Sequence, residues 1–291
     1  VNGATDNSHT GRLEASGRPA RPDLIARIGR WVPWLAGAFG RAHGPSTGRD
    51  PLRELDRGAA KALPPGSAHY TAYVGPPEQF DFMGATQFRL LTTLGLREHH
   101  TLLDFGCGSL RAGRLFIPYL APGHYHGVDP NKWLIEDAIA QEVGADMISL
   151  KRPVFRHDGD FNAAHFGVRF DFIVAQSIFS HAGPDIVADS LRGFKQSLAD
   201  GGLILATFIP PEILGIGEQT EKGWVYPDCV AYRDFTILAM IEAAGLTGRR
   251  LPWYHPRQTW YAIAHTREAL PAEHDDIHLS GRVLRAPDFQ G

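Results

Sequence analysis

Cysteine is nearly missing from this sequence: two of the 291 residues, Cys107 and Cys229. Two thiols cannot build a disulfide framework, and neither stands in a CxxC or Cys/His cluster of the kind that binds zinc. A reducing cytoplasm is therefore the expected setting. Long apolar runs are missing as well, since no stretch reaches the roughly 20 apolar residues that a membrane-spanning helix needs. The first residues lack the charged start, apolar run and small-residue cleavage site of a secretory signal, so a soluble chain is expected.

Excess charge of either sign is also lacking. Lys and Arg number 29 against 32 Asp and Glu, which leaves a formal net charge of −3 and a pI near 6.6. No overall field then draws the chain to nucleic acid, and no nucleic-acid partner is expected. No His/Asp/Glu cluster has the spacing of a first metal shell, so no metal is expected. The adjacent His99 and His100 point apart on an extended chain.

What is present is an ordinary globular composition, 43% hydrophobic and 21% charged. The length suits one large α/β domain with extensions. Residues 1–23, rich in Gly, Ser, Arg and Pro, read as a flexible tail. Leu24, Ile28, Trp31, Leu35 and Phe39 form a helical stripe flanked by Arg27, Arg30 and Arg41, with Pro33 as a kink. Such a helix packs on its own domain or makes weak peripheral membrane contact through residues 24–41. Residues 40–66 read as linker, which divides the chain into an extension over 1–66, a main domain over 67–267 and a tail over 268–291.

From about Tyr70 the chain alternates short apolar runs with helical patterns, the βαβ rhythm of a parallel sheet. The runs are 101–105, 125–129, 154–157, 170–175, 203–208, 247–252 and 259–265. Helical patterns fall at 111–120, 131–143, 185–199 and 233–244, with starts at Asp129-Pro130-Asn131 and Ala182-Gly183-Pro184-Asp185 and stops at Gly201-Gly202 and Gly245. The expected fold is a doubly wound, mostly parallel seven-stranded sheet with helices on both faces, plus an N-terminal helical extension.

In such a sheet, ligands bind at the carboxyl ends of the strands where strand order reverses. The first run leads directly into Asp104-Phe105-Gly106-Cys107-Gly108, whose glycines permit a tight turn and close approach of a ligand. Nicotinamide and flavin proteins use glycine turns too. Charge separates the readings, because Asp104 would repel a pyrophosphate but stabilise an ammonium or sulfonium. The dinucleotide fingerprint would also require glycine at position 111, where Arg111 stands. Asp129 ends the second run, about twenty residues past the glycines, where an acid can accept hydrogen bonds from both ribose hydroxyls.

The segments LLDFGCGSLRAGRLF, YHGVDPN, FRHDGDF, FDFIVAQSIFSHAG and GGLILATF together resemble successive motifs of the class I, seven-strand S-adenosylmethionine-dependent methyltransferases. The resemblance runs from about residue 80 to 265 and implies S-adenosyl-L-methionine as cofactor. It also implies roles: Asp104, Gly106 and Gly108 at the methionine end, Asp129 with neighbouring Asn131 at the ribose, and Asp160 with Phe161 at the adenine. Leu110 departs from the pattern, since many family members carry a third glycine there. Arg111, at the helix start, either pairs with the cofactor carboxylate or is a solvated surface arginine, and Cys107 is the small residue packed between the glycines.

Gln176 and Ser177 follow the fourth run and are expected to line the same crevice. Tyr73, Phe80, Phe82 and Gln87 lie in a segment that the family commonly folds over its cofactor. Methyl transfer asks mainly for alignment and exclusion of water, with a general base if the acceptor is a hydroxyl. His181, just past the fourth run, and His255, between the sixth and seventh, are each either a candidate base or a hydrogen-bonded loop or packing histidine. The insertion 212–232, with Glu218, Glu221, Trp224, Tyr226 and Tyr232, is expected to shape the acceptor pocket, and Arg257 either holds an anionic substrate group or is solvated. The leading reading is an O-methyltransferase acting on a small-molecule or glycan-like acceptor. An NAD(P)-dependent oxidoreductase and a non-catalytic cofactor-binding module are the alternatives.

Overall fold

The computed structural model describes residues 50–159, 162–218, 221–226 and 228–279. The amphipathic segment 24–41 and the residues Asp160 and Phe161 lie outside the described residues.

Seven strands form one sheet: β1 (Leu102–Phe105), β2 (Tyr125–Val128), β3 (Val154–Arg156), β4 (Phe170–Ala175), β5 (Leu198–Phe208), β6 (Thr247–Leu251) and β7 (Thr259–Ala264). Their order is β3-β2-β1-β4-β5-β7-β6. β1 to β5 pair in parallel, whereas β7 runs antiparallel between β5 and β6. The order reverses between β1 and β4, which opens a crevice at the carboxyl ends of those strands.

Side-chain alternation accounts for the layers. Leu103, Phe105, Ile173, Ala175, Ile204 and Ala206 face one apolar cluster. Leu102, Phe172, Val174, Leu203 and Leu205 face the other. Because both faces are covered, these strands read as unbroken apolar runs rather than as alternating ones.

Helices α1 (Phe80–Thr93), α2 (Gly113–Tyr119), α3 (Lys132–Ala138), α4 (Ala145–Lys151), α5 (Pro184–Ser197) and α6 (Asp234–Ala243) supply the outer layers. Leu90, Leu91, Phe116, Ile117 and Ile135 of α1 to α3 close one face. Leu191, Phe194, Ile237 and Ile241 of α5 and α6 close the other.

Four expectations differ from what is seen. β5 begins at Leu198, where Phe170 pairs with it across a register shift, so Gly201-Gly202 lies within the strand instead of ending a helix. α4 was not foreseen; after α3 the chain makes a π turn over Ile139–Val143, reverses at Gly144 (φ +85°) and starts again. Residues 50–66 are docked rather than free. Arg53 forks onto the buried Asp137 through two 2.8 Å hydrogen bonds and lies 4.8 Å over the Trp133 ring. Arg57 and Arg114 both reach Asp81 and Glu142, and Nε2 of His69 donates to the Leu55 carbonyl at 3.2 Å. Long-range partners such as these carry no local sequence signal, which is why the segment reads as linker. At the other end, residues read as tail form short helices over Arg267–Ala269 and Asp276–Leu279, with Leu279 buried in the core.

No helix among the described residues is long and apolar enough to cross a membrane.

Candidate active site

The turn after β1 packs so closely that side chains have no room at its two glycines. A Cβ on Gly106 (φ +77°) would stand 2.0 Å from Cδ1 of Ile178, and one on Gly108 (φ +51°) 2.9 Å from Cγ1 of Val74. The amides of Gly106 and Cys107 both donate to the Val128 carbonyl, at 2.9 and 3.1 Å, so the turn is tied to the end of β2. Leu110 keeps φ at +54°, the left-handed backbone that glycine would adopt freely. That conformation costs an ordinary residue about 1–2 kcal/mol. The Leu110 side chain is fully buried, which offsets the cost. The loop path therefore survives the loss of the third glycine.

Two carboxyl groups meet at these strand ends. Asp104 is buried, accepts a 2.8 Å hydrogen bond from the Tyr125 phenol, and is pushed up to about 7, chiefly by burial, with Tyr125 and Arg111 opposing. Asp129 accepts from the Gly108 amide at 3.0 Å with one oxygen, and from the Asn131 amide and side chain at 2.8 and 3.1 Å with the other. Burial raises it despite those donors. A buried acid with few donors gains most from an incoming cation, so this donor set fits an ammonium-bearing or sulfonium-bearing ligand better than a pyrophosphate.

Across the crevice, Ser177 follows β4 at φ +62°. Its amide donates to Oγ1 of Thr207 at 2.8 Å, and its hydroxyl accepts from Nε2 of Gln258 at 2.8 Å. Oε1 of Gln176, Oγ of Ser180 and Oε1 of Gln258 are buried without a hydrogen-bond partner among the described residues.

The insertion after β5 is fastened by its backbone. Gly183 donates to the Gly223 carbonyl at 2.7 Å, Val225 to His181 at 2.9 Å and Val230 to Ser180 at 2.8 Å. The ladder brings Tyr226 against His181, with ring centroids 5.2 Å apart. Nδ1 of His181 lies 2.7 Å from the Asp228 carbonyl. A carbonyl can only accept, so Nδ1 carries the proton and Nε2 keeps its lone pair. Burial holds the ring below its usual pKa, assisted by the charge of Arg257 and opposed by the Asp228 carbonyl.

These parts enclose a cavity of about 510 Å³, within the size range of small-molecule sites. Of the residues nominated from sequence, Gln87, Asp104, Gly106, Cys107, Gly108, Arg111, Asp129, Asn131, Gln176, Ser177 and His181 line it. Phe82 does not; its ring meets that of Tyr254 edge-on, centroids 5.9 Å apart. Phe80 is core, at 1% exposure.

His255 is also absent from the wall. Its Nδ1 accepts from the amides of Arg257 and Gln258 at 3.2 and 3.0 Å, and its Nε2 lies 3.5 Å from the Gln176 amide. Burial, followed by the charges of Arg257 and Arg111, holds the ring at about 3. With its acceptor nitrogen occupied, His255 is a loop-ordering group behind the wall and not a base within it. Gln258 and the strap residues Pro65 and Gly66 line the cavity unannounced. A polar residue one position before a strand, or a Pro-Gly pair in an apparent linker, has no local mark of such a role.

A family model described as methyltransferase domain matches residues 103–204, from β1 into β5. No curated protein matches the chain. Among solved structures, magnesium protoporphyrin IX methyltransferase from Synechocystis is 14% identical over 65% of this chain and 83% of its own, with a TM-score of 0.48. The CcbJ methyltransferase from Streptomyces caelestis is 16% identical over 66% of this chain and 97% of its own, at 0.48. The glycopeptide N-methyltransferase MtfA is 11% identical over 63% and 94%, at 0.50. The domain match spans the glycine turn, both acidic strand ends and the crevice between β1 and β4, so residues 103–204 are similar to a methyltransferase domain, set in a Rossmann-like seven-stranded sheet.

Proposed function

We propose that the protein transfers a methyl group to a hydroxyl of a small-molecule or glycan-like acceptor. In this reading the cofactor's methionine end rests on the turn at Gly106 and Gly108, with its ammonium toward Asp104 and its carboxylate toward Arg111. Asp129, beside Asn131, takes the ribose, and Gln87, Cys107, Gln176 and Ser177 complete the wall. Arg111 is well placed for this, since Nη1 donates to the Val74 carbonyl at 2.8 Å and fixes its fork. The strap over residues 50–66 contributes to the same cavity, so the functional unit includes it, in place of a boundary at 66/67.

When bound, S-adenosylmethionine supplies a methyl carbon whose bond to sulfur breaks as the acceptor oxygen bonds to it, the electron pair leaving with a now neutral sulfur. The chain's own part is to hold the acceptor in line, exclude water and remove one proton. His181 takes that proton at Nε2, while Nδ1–H stays on the Asp228 carbonyl and steadies the imidazolium. Tyr226, kept as a neutral phenol by partial desolvation and by Tyr73, stands at the acceptor side of the cavity.

His181 carries the hydroxyl reading, because it lines the cavity with its Nδ1 proton committed to the Asp228 carbonyl, which leaves Nε2 to take the proton of an acceptor that must lose one as it reacts. The test is to incubate the protein with S-adenosylmethionine and matched phenols, sugars and amines, and to locate the added methyl by mass spectrometry. Transfer to oxygen, reduced by roughly a hundredfold or more in His181→Asn, supports the reading. Transfer to the amines alone, or full activity of His181→Asn on hydroxyls, overturns it.

A further inference from the structure

Rings from separate stretches of the chain follow one another along the cavity. Trp133 of α3, Tyr73, Tyr226 and His181 lie in sequence with centroids 5.3, 6.1 and 5.2 Å apart. Tyr73, Tyr226 and His181 line the cavity, and so does Trp224, two residues before Tyr226. Trp224 and Tyr226 nevertheless stay 41% and 45% exposed. Aromatic side chains are usually well buried, and exposed ones grouped at a cavity mark a binding surface.

The exposure of these rings is not the looseness of an untethered loop. On either side of Trp224 the insertion is fastened by its backbone: Gly223 accepts from the Gly183 amide at 2.7 Å and donates to Oδ1 of Asp185 at 2.8 Å, and Val225 donates to the His181 carbonyl at 2.9 Å. A Cβ on Gly183 would stand 2.4 Å from the Glu221 carbonyl oxygen, so the two segments touch. Rings presented rigidly in this way lower the entropy cost of stacking a ligand on them. The neighbouring polar groups are less accessible. Oε1 of Gln176, Oε1 of Gln258 and Oγ of Ser180 are buried, and the Ser177 hydroxyl is engaged by Gln258. An acceptor with many hydroxyls finds fewer partners here than a flat apolar ring finds faces.

We infer that the acceptor is a planar hydroxyarene, a phenol and not a sugar, and that Trp224 and Tyr226 stack its ring while its hydroxyl reaches His181. The inference rests on the methyl-transfer reading of the same cavity and narrows its acceptor. Tyr226 is the ring adjoining the base, so an arene laid on it brings a substituent toward His181. Ring-on-ring contacts favour a flat π system beyond the apolar area that they bury. Acidity points the same way. A phenol has a pKa of about 10 and yields its proton far more readily than an aliphatic hydroxyl, which suits a base that burial holds below its usual value.

The experiment is calorimetric titration of the S-adenosylhomocysteine-loaded protein with naphthol, with decahydronaphthol, which keeps the carbon frame and the hydroxyl but has no flat face, and with methyl glucoside. Naphthol is expected to bind roughly fivefold or more tightly than either. Trp224→Leu and Tyr226→Leu should each remove much of that preference, and Trp224→Phe should keep part of it. All three should retain the wild-type affinity for S-adenosylhomocysteine, which shows that they fold. Equal or tighter binding of decahydronaphthol means that the cavity reads apolar area alone and overturns the inference. Tighter binding of the glucoside, no binding of naphthol, or a preference that survives both leucine variants overturns it too. Failure of S-adenosylhomocysteine to bind the wild-type protein is a separate readout; it removes the cofactor reading and the inference with it.

Discussion

The phenol of Tyr125, at the start of β2, donates a 2.8 Å hydrogen bond to Oδ2 of Asp104, near the end of β1. Both side chains are buried, and that one neutral donor does not offset the desolvation of the acid, which sits at about 7. In the protein without cofactor, Asp104 is therefore divided between its two forms near neutrality. An arriving ammonium selects the ionised one.

The first prediction follows from that poise. The affinity for S-adenosylmethionine should fall by more than about tenfold from pH 7 to pH 5, because Asp104 must lose a proton before it can pair with the cation. In the cofactor-free protein the sign is reversed. The folded-state value lies above the unfolded one, so this group's stabilising contribution is full below the ordinary carboxyl value of 3.8 and is lost as pH rises through about 7. Asp104→Asn should flatten both dependences, measured by calorimetry and by thermal melting. A wild-type pH profile retained in the variant would refute the assignment.

Asp129 tests the ribose site. Asp129→Ala removes acceptors held ready by the Gly108 and Asn131 amides, and the dissociation constant for S-adenosylhomocysteine should rise roughly a hundredfold, the worth of two charge-assisted hydrogen bonds. Asp129→Asn, which keeps one acceptor and the local turn, should lose less. An unchanged constant in Asp129→Ala would remove Asp129 from the site.

Gly84 in α1 is a packing test outside the chemistry. A Cβ there would stand 2.3 Å from the backbone carbonyl oxygen of Arg111, and a backbone atom cannot swing aside as a side-chain tip can. Gly84→Ala should therefore destabilise the protein by about 1–3 kcal/mol despite alanine's better helix propensity. Because α1 would lift from the turn that carries Arg111, cofactor affinity should drop as well. A stabilised variant in chemical denaturation would show that the contact is looser than drawn.

The strands and the glycine turn were legible in sequence because each depends on local composition: a strand buried on both faces must be apolar throughout, and a turn at positive φ favours glycine. Leu110 shows the limit of that logic, since it holds a left-handed backbone without the residue type that announces one. His181 and His255 show another. Both lie in loops at the correct end of the sheet, yet only His181 faces the cavity, because ring direction is set by the Asp228 carbonyl in one case and by two following amides in the other. The strap over residues 50–66 was illegible for a third reason. Its order comes from arginines whose acidic partners lie 24 and 84 residues away in sequence, and a charged run with distant partners looks the same as a solvated one.

That strap yields the last prediction. Arg53 makes a two-pronged contact with Asp137, whose side chain is 5% exposed against 20% for Arg53, so the pair is shielded enough to outweigh a surface bridge. Arg53→Ala should cost about 2–3 kcal/mol, between the values for exposed and fully buried pairs. Arg53→Lys should recover only part, since an ammonium cannot engage both carboxylate oxygens or lie flat over Trp133. Hydrogen exchange should quicken first over residues 50–66. Pro65 and Gly66 belong to the cavity wall, so the bound cofactor should then exchange with solution faster, which raises its dissociation rate more than it lowers its association rate. Unchanged exchange over the strap in Arg53→Ala would mean that the Arg57, Glu142 and His69 contacts hold it unaided.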